Sequence, residues 1–366
     1  MQALLDRRKQ NLSFRTIQKK EQLIDFCSND YLSLSRNQTI QNEIHKKSKE
    51  LKLGSTGSRL LSGHYDLLTE AEEKVAAFHH AETALIFNSG YTANLGLLSS
   101  IPRRSDIILY DELVHASIHD GLRLTAADKY VFAHNNLSEL KQLLEQHHSK
   151  TVFVVLESIY SMDGDTAPLK EICQLCQEYD ANLIVDEAHS TGVCGTNGEG
   201  LCVALGIEKQ VFARIHTFGK AMGTHAAAVV GSKIMKDYLI NFSRPLIYTT
   251  AISPHSALSI IESYSHLQQN GKEYIAELNK KIEYFRSLIK NLNEQHYIES
   301  NSAIQCIIIP GNENVVNTCA LLQKEGFDIR AIRNPTVASG KERIRICLHR
   351  HNSLEEIKKL VDYIDR

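Results

Sequence analysis

Three residue groupings in this chain have types and spacings that suit chemistry. The first is a lysine among small and apolar neighbours. Lys220 stands in Gly219-Lys220-Ala221-Met222-Gly223, directly after the apolar run Ile215–Phe218. Such surroundings favour the neutral, nucleophilic amine. The second is Asp186-Glu187-Ala188-His189, after the run Asn182–Val185. A carboxylate at the end of a buried run is costly unless it has a partner. The third is Asn88-Ser89-Gly90-Tyr91-Thr92, where a Ser-Gly turn opens a helical pattern. Backbone N–H groups at a helix start hold anions.

Each grouping also has a plain reading. The Ser-Gly turn reads as an ordinary helix start, and Lys220 as a solvated surface lysine. His115 and His119 lie four apart, a spacing that suits a metal on one helix face, but no third ligand of matching pattern follows. Either histidine alone reads as a surface or satisfied core residue. Glu157 to Asp165 crowds polar groups after Val152–Leu156 and reads as a loop with Asx turns. Asp-Glu-Ala-His occurs in helicases, yet the Gly-rich phosphate loop that such a site needs is absent upstream. Cys173 and Cys176 form a single Cys-x-x-Cys pair in a helical pattern with no second pair, which favours packing over zinc.

Taken together the groupings fit pyridoxal phosphate. That cofactor needs an aldehyde-capturing lysine, a carboxylate that keeps its pyridine nitrogen protonated, and hydroxyls and helix-start amides for its phosphate.

The elements that must position these groups follow a regular rhythm. Apolar runs Ala84–Phe87, Ile107–Tyr110, Tyr130–Phe132, Val152–Leu156, Asn182–Val185, Ile215–Phe218 and Ala227–Val230 alternate with helical patterns. This predicts βα units and a mostly parallel sheet. In such sheets ligands bind beyond the carboxyl ends of the strands, where the three groupings fall. A long helical region over roughly 256–295 follows. Then come Ala303–Ile309, a helix near Val315–Glu325, Phe327–Ile332, Arg343–Leu348 and a last helix from Leu354. The expected organisation is an N-terminal segment at 1–45, a large cofactor-binding domain at 46–250 and a smaller C-terminal α/β domain at 251–366.

Composition narrows the classes. The chain has 366 residues and a net charge of -2, which gives no electrostatic case for a nucleic-acid or membrane partner. No apolar run reaches the ~18 residues of a membrane span. The segment Met1 to Lys20 is charged and lacks a signal peptide's apolar core. Eight scattered cysteines, several in apolar company such as Cys306 and Cys347, point to a reduced, cytoplasmic protein.

Over essentially its whole length the chain resembles the α-oxoamine synthases, pyridoxal-phosphate enzymes of fold type I. The matching stretches are Ser28-Asn29-Asp30-Tyr31-Leu32, Gly57-Ser58-Arg59, Ser89-Gly90-Tyr91, His115-Ala116-Ser117, Ser161-Met162-Asp163-Gly164-Asp165, Asp186-Glu187-Ala188-His189 and Thr217-Phe218-Gly219-Lys220. The resemblance implies that Lys220 is the Schiff-base lysine and the proton shuttle at the substrate Cα. It implies that Asp186 partners the pyridine nitrogen, that His115 stacks on the cofactor, and that His189 donates to its phenolic oxygen. Gly90, Tyr91 and Thr217 match phosphate or ring contacts, and Ser161 a further cofactor contact. Thr250 matches a residue that reaches the phosphate from the other subunit of a homodimer. Arg345, in Arg343-Ile344-Arg345, matches the clamp for the amino-acid carboxylate, a role that suits a planar bidentate donor. Asn29 and Thr336 match substrate contacts.

Within the family, His216 to His225 is similar to the branch that joins L-alanine to a pimeloyl thioester on the way to biotin. The branch that joins glycine to an acetyl group usually has Leu where Phe218 stands. Arg15 aligns with an arginine that meets the distal pimeloyl carboxylate. One departure is Ala226-Ala227, where the branch commonly has Gly-Ala; the extra methyl either narrows the pocket or fills it. The rivals are another α-oxoamine synthase using glycine, and a binding protein on the same fold. The latter is expected to have lost Lys220 or Asp186, and both are present.

Overall fold

The computed structural model describes residues 1–17, 23–289 and 296–365. In chain order these form α1 (Gln2–Gln10), β1 (Ile24–Asp25), α2 (Gln38–Lys47), α3 (Asp66–Phe78), β2 (Thr83–Phe87), α4 (Gly90–Ser100), β3 (Ile107–Asp111), α5 (Ala116–Leu124) and β4 (Asp128–Phe132). Next come α6 (Leu137–His147), β5 (Val152–Glu157), α7 (Leu169–Glu178), β6 (Asn182–Asp186), α8 (Leu201–Ala204), β7 (Ala213–Thr217), β8 (Ala227–Gly231), α9 (Lys233–Phe242), α10 (Arg244–Ile247) and α11 (Pro254–Ile289). The chain continues with β9 (Tyr297–Ile298), β10 (Ile304–Ile308), α12 (Asn312–Lys324), β11 (Phe327–Asp328), β12 (Arg330–Ile332), β13 (Arg343–Cys347) and α13 (Leu354–Ile364).

Two compact units result. The larger comprises Leu32–Tyr160 and Ala167–Ile275, and the smaller Met1–Tyr31, Ser161–Thr166 and Ala276–Arg366.

The larger unit is built on a seven-stranded sheet of order β2-β8-β7-β6-β5-β3-β4. The β3, β4, β5, β6 and β7 pairings are parallel, and β8 runs antiparallel to both β2 and β7. Two reversals bring β2 back to the direction of β7. The carboxyl ends of β2, β3, β5, β6 and β7 therefore share one edge, which carries Ser89, His115, Ser158, Asp186 and Thr217. Apart from the exposed edge strand β4, the strands are buried on both faces, which is why they read as continuous apolar runs. On β5, Phe153 and Val155 pack into one core cluster while Val152, Val154 and Leu156 pack into the other; on β6, Ile184 faces the first and Leu183 and Val185 the second. This is the two-residue period of a strand clad by helices on both sides.

The smaller unit has a four-stranded antiparallel sheet of order β12-β13-β10-β9 and a parallel pair of β1 with β11. The run Phe327–Ile332 divides at fully buried Ile329, so β11 and β12 join different sheets. The predicted long helix is α11, and its expected end at 290–295 lies outside the described residues.

A buried polar pair sits in the larger unit. The rings of His79 and His216 stack at 3.6 Å, and both residues are fully buried. His79 bonds the Glu199 carbonyl and the Tyr264 hydroxyl, each at 2.7 Å, and His216 Nδ1 bonds Thr191 at 2.8 Å. Burial, reinforced by the charge of Arg214, pushes His79 down to about 3, and burial pushes His216 well below its usual range. Below pH 6.5 the unfolded chain takes up protons that these native rings refuse, so stability falls as pH drops. The expected loss between pH 7 and pH 5 is roughly 2 kcal/mol for each ring. Urea unfolding at the two pH values checks this, and equal stabilities would contradict neutral buried rings.

Candidate active site

In the larger unit the site grows from the end of β6. Asp186 is buried, 4% exposed, as the last strand residue. Its Oδ1 accepts the Ala188 N–H at 2.9 Å and its Oδ2 accepts Asn94 Nδ2 at 2.7 Å. A carboxylate offers about four lone-pair positions, so capacity remains for a further donor such as a pyridinium N–H. Asn94 Nδ2 also reaches Ser117 Oγ at 3.0 Å, and Ser117 bonds His115 Nδ1. Nδ1 accepts the Ser117 backbone N–H at 3.2 Å, which places the ring proton on Nε2. His115 is exposed at the start of α5. Its partial burial, with the charges of Lys220 and His119, outweighs Asp186 and lowers its affinity for a second proton.

The phosphate cradle has a visible cause. Ser89 caps α4 with a capping box, its side chain accepting from Thr92 N while the Thr92 hydroxyl accepts from Ser89 N. The amides of Gly90 and Tyr91 at the helix start have no intrahelical acceptor. A Cβ on Gly90 would lie 2.5 Å from Thr217 Cγ2, so glycine alone lets the α4 start approach the end of β7. Helix-start amides beside Thr217 are donors of the kind a phosphate needs. Tyr91 is exposed and its hydroxyl bonds Asp120.

Lys220 sits half-buried in a turn beyond β7. The turn is closed by Phe218 N–H to Ala226 O at 3.0 Å, Thr224 N–H to Phe218 O at 2.9 Å and Gly223 N–H to Lys220 O at 2.9 Å. Gly223 takes a φ of 65°, and a Cβ there would meet Ser35 N at 2.2 Å. Buried Ala226 takes a φ of 85°, a conformation that suits glycine, so the Gly-to-Ala departure is a strained backbone position beside the lysine. His189 is buried one turn after Asp186, and Thr217 Oγ1 bonds the Ala188 carbonyl at 3.4 Å. Thr250 is exposed after α10, its carbonyl accepting Asn88 Nδ2 at 3.0 Å.

The remaining sequence-derived residues lie in the smaller unit. Arg345 on β13 donates Nε to the Ser161 carbonyl at 2.7 Å, Nη2 to Asn29 Oδ1 at 3.0 Å and Nη1 to Cys347 Sγ at 3.1 Å. All these acceptors are neutral. Its neighbour Arg343 instead pairs with Asp163. Arg15 Nη2 bonds Thr336 Oγ1 at 3.3 Å, and both line a cavity of about 210 Å³ with Ser13, Arg333 and Asn334.

The structure thus gathers Gly90, Tyr91, His115, Asp186, His189, Thr217 and Lys220 on one edge of the larger unit. It gathers Asn29, Ser161 and Arg345 in the smaller, with Arg15 and Thr336 as a separate pair there. Sequence reasoning missed Asn94 and Ser117, which fix Asp186 and His115. The only signal was a polar residue on the otherwise apolar face of α4. Glu187 plays a structural part, accepting from Ser190 Oγ at 2.7 Å and from the Leu201 N–H, which anchors α8. Cys173 and Cys176 lie on the core face of α7, and His119 packs edge-on against Tyr110 at 5.8 Å.

The fold and this pocket define a fold-type-I enzyme dependent on pyridoxal 5'-phosphate, whose donor set the pocket matches. The family model for aminotransferases of class I and II matches residues 21–364. An 8-amino-7-oxononanoate synthase from Emericella nidulans is 39% identical over 93% of this chain and 88% of its own length. The structure of an 8-amino-7-oxononanoate synthase from Francisella tularensis superposes with a TM-score of 0.80 at 28% identity, covering 94% of this chain and 98% of that one. A Sphingomonas wittichii serine palmitoyltransferase superposes with a TM-score of 0.89 at 28% identity, covering 94% and 86%. The chain belongs to the aminotransferase class I and II family and, within it, to the α-oxoamine synthases.

Two substitutions test the geometry of the pocket. Gly90→Ala forces α4 away from Thr217 and is expected to weaken cofactor affinity roughly tenfold or more, about 1.4 kcal/mol. Fluorescence titration of the apoenzyme measures this, and unchanged affinity would exclude the cradle. Ala226→Gly relieves the left-handed φ and is expected to raise stability by about 1 kcal/mol. Urea unfolding reads that gain, and a loss would mean that packing of the methyl outweighs the backbone strain.

Proposed function

We propose that the protein joins L-alanine to a pimeloyl thioester, releasing carbon dioxide and the free thiol, to give 8-amino-7-oxononanoate in biotin biosynthesis. The relative from Emericella nidulans bears the name of that enzyme, which supports the assignment. The observation that carries it is charge. Arg345 and Arg15 each face only neutral partners among the described residues. The two substrates bring two carboxylates, one on alanine and one at the far end of the pimeloyl chain. Arg345, held by Asn29, takes the first, and Arg15 with Thr336 takes the second.

Bound pyridoxal phosphate supplies an electron sink for the charge that develops at the alanine Cα. Asp186 would hold the proton on the pyridine nitrogen and His115 would lie against the ring. His189 would donate to the phenolic oxygen. Gly90, Tyr91 and Thr217 would hold the phosphate, and Ser161 would add a further contact. Lys220 would be the amine that holds the cofactor and the base that moves the Cα proton. A bond forms between the alanine Cα and the thioester carbonyl carbon, and the carbon–sulfur bond breaks, the thiolate leaving and taking a proton from solvent. The bond from Cα to the alanine carboxylate then breaks to release carbon dioxide, and Lys220 returns a proton to Cα.

The working unit is a homodimer in which Thr250 reaches the phosphate held by the partner subunit. The reaction is assigned to the cytoplasm, where eight free cysteines persist. No described helix is long and apolar enough to cross a membrane.

Thiol release from pimeloyl-CoA and acetyl-CoA, each paired with L-alanine and glycine, tests the assignment. Preference for pimeloyl-CoA with alanine is expected. Arg15→Ala should raise the pimeloyl-CoA KM by roughly tenfold or more, and Lys220→Ala should lower kcat by at least about a thousandfold. Preference for acetyl-CoA with glycine would contradict the pimeloyl assignment.

A further inference from the structure

The last two residues of β7 point to opposite sides of the sheet, and both hold the same turn. Thr217 lies on the side of Ala213 and Ile215, and His216 on the other, as alternation along a strand requires. Thr217 Oγ1 bonds the Ala188 carbonyl at 3.4 Å, and His216 Nδ1 lies 2.8 Å from Thr191 Oγ1. One residue before them, the Ile215 carbonyl accepts the Glu187 N–H at 2.8 Å. Three successive strand residues therefore grip the turn 187–191, and His189 sits in its middle.

The direction of the Thr191 bond is fixed. The Thr191 hydroxyl has one proton, and the Glu187 carbonyl, 2.7 Å away, can only accept it. His216 Nδ1 must then be the donor, which leaves Nε2 bare. A proton on Nε2 would go unsatisfied in the core, since that atom has no hydrogen-bond partner among the described residues. The ring is held flat against His79, whose two nitrogens are taken by the Glu199 carbonyl and the Tyr264 hydroxyl. Arg214 Nη2 fixes the His79 carbonyl at 2.7 Å. The titratable and charged groups acting on His216 are His79 and Arg214, and both oppose a second proton.

We propose that His216 and Thr191 are positioning residues that set His189 against the phenolic oxygen of the cofactor. They act through the backbone of the turn. Its first half is anchored independently, by the Ala188 N–H on Asp186 Oδ1 at 2.9 Å. Thr191, two residues beyond His189, anchors the second half. Freeing Thr191 therefore moves His189 and leaves Asp186 in place. The proposal rests on His189 as the phenolic-oxygen donor proposed above.

Long-range proton–nitrogen spectra of the histidine-labelled holoenzyme test the network, with His216→Asn supplying the assignment. A protonated Nδ1 and a bare Nε2 are expected for His216, and a proton on Nε2 overturns the proposal.

The absorption spectrum of the holoenzyme tests the positioning. A donor to the phenolic oxygen sets how the bound cofactor divides between its long- and short-wavelength bands. Thr191→Val removes the acceptor and keeps the shape, and is expected to change the band ratio at fixed pH by roughly twofold or more. Thr191→Ser returns the hydroxyl and should restore the wild-type ratio. His216→Phe keeps a stacked ring without the donor and should reproduce the valine result, so the outcome is readable even if one variant does not fold. A lower melting temperature with an unchanged ratio would show a merely structural role and overturn the proposal. His189→Asn separates the two ideas. A ratio that His189→Asn moves and Thr191→Val does not overturns the positioning alone. A ratio that His189→Asn leaves unchanged removes His189 as the donor, and the positioning claim falls with it.

Discussion

A carboxylate buried at the end of a central strand constrains much of the larger unit. Asp186 lies among β5, β6 and β7, where an unpartnered charge is far too costly to keep. Its donors come from different places: the backbone two residues on, and Asn94 from α4. Asn94 reaches Asp186 only because Gly90 lets the start of α4 sit against Thr217. The same approach brings the free amides of α4 to the strand ends. One packing decision thus satisfies a charge and builds an anion cradle. Through Ser117 it also sets the tautomer of His115.

The smaller unit works by the opposite device. There a half-buried cation is held without an anion. Arg343 is neutralised by Asp163, yet Arg345, two residues along the same strand, meets only a carbonyl, an amide oxygen, a hydroxyl and a thiol among the described residues. Neutral acceptors orient a guanidinium without cancelling its charge, which leaves its attraction for a substrate carboxylate intact.

Much of this was legible in the residues, for definite reasons. Strands clad on both faces appear as short apolar runs, so Val152–Leu156 and Asn182–Val185 stood out, and the chemistry sits at their ends by the geometry of parallel sheets. Two features were hidden. The antiparallel direction of β8 leaves no mark on Ala227–Val230, because a run buried on both faces reads the same either way. Phe327–Ile332 looked continuous because Ile329 is as apolar as its neighbours, although the backbone changes sheet there. Partners distant in sequence were hidden as well. Asn94 and Asp186 are 92 positions apart, and Ser28 and His349 are 321 apart. A lone polar residue in an apolar pattern says that a partner exists but not which one it is.

The central claim is that the turn beyond β7 delivers one lysine to the cofactor. Borohydride reduction of the holoenzyme, followed by proteolysis and mass spectrometry of the peptides, tests it directly. The account predicts the mass of the reduced cofactor on the peptide containing Lys220 and on no other. Recovery of that mass on a different lysine would contradict the assignment of the site.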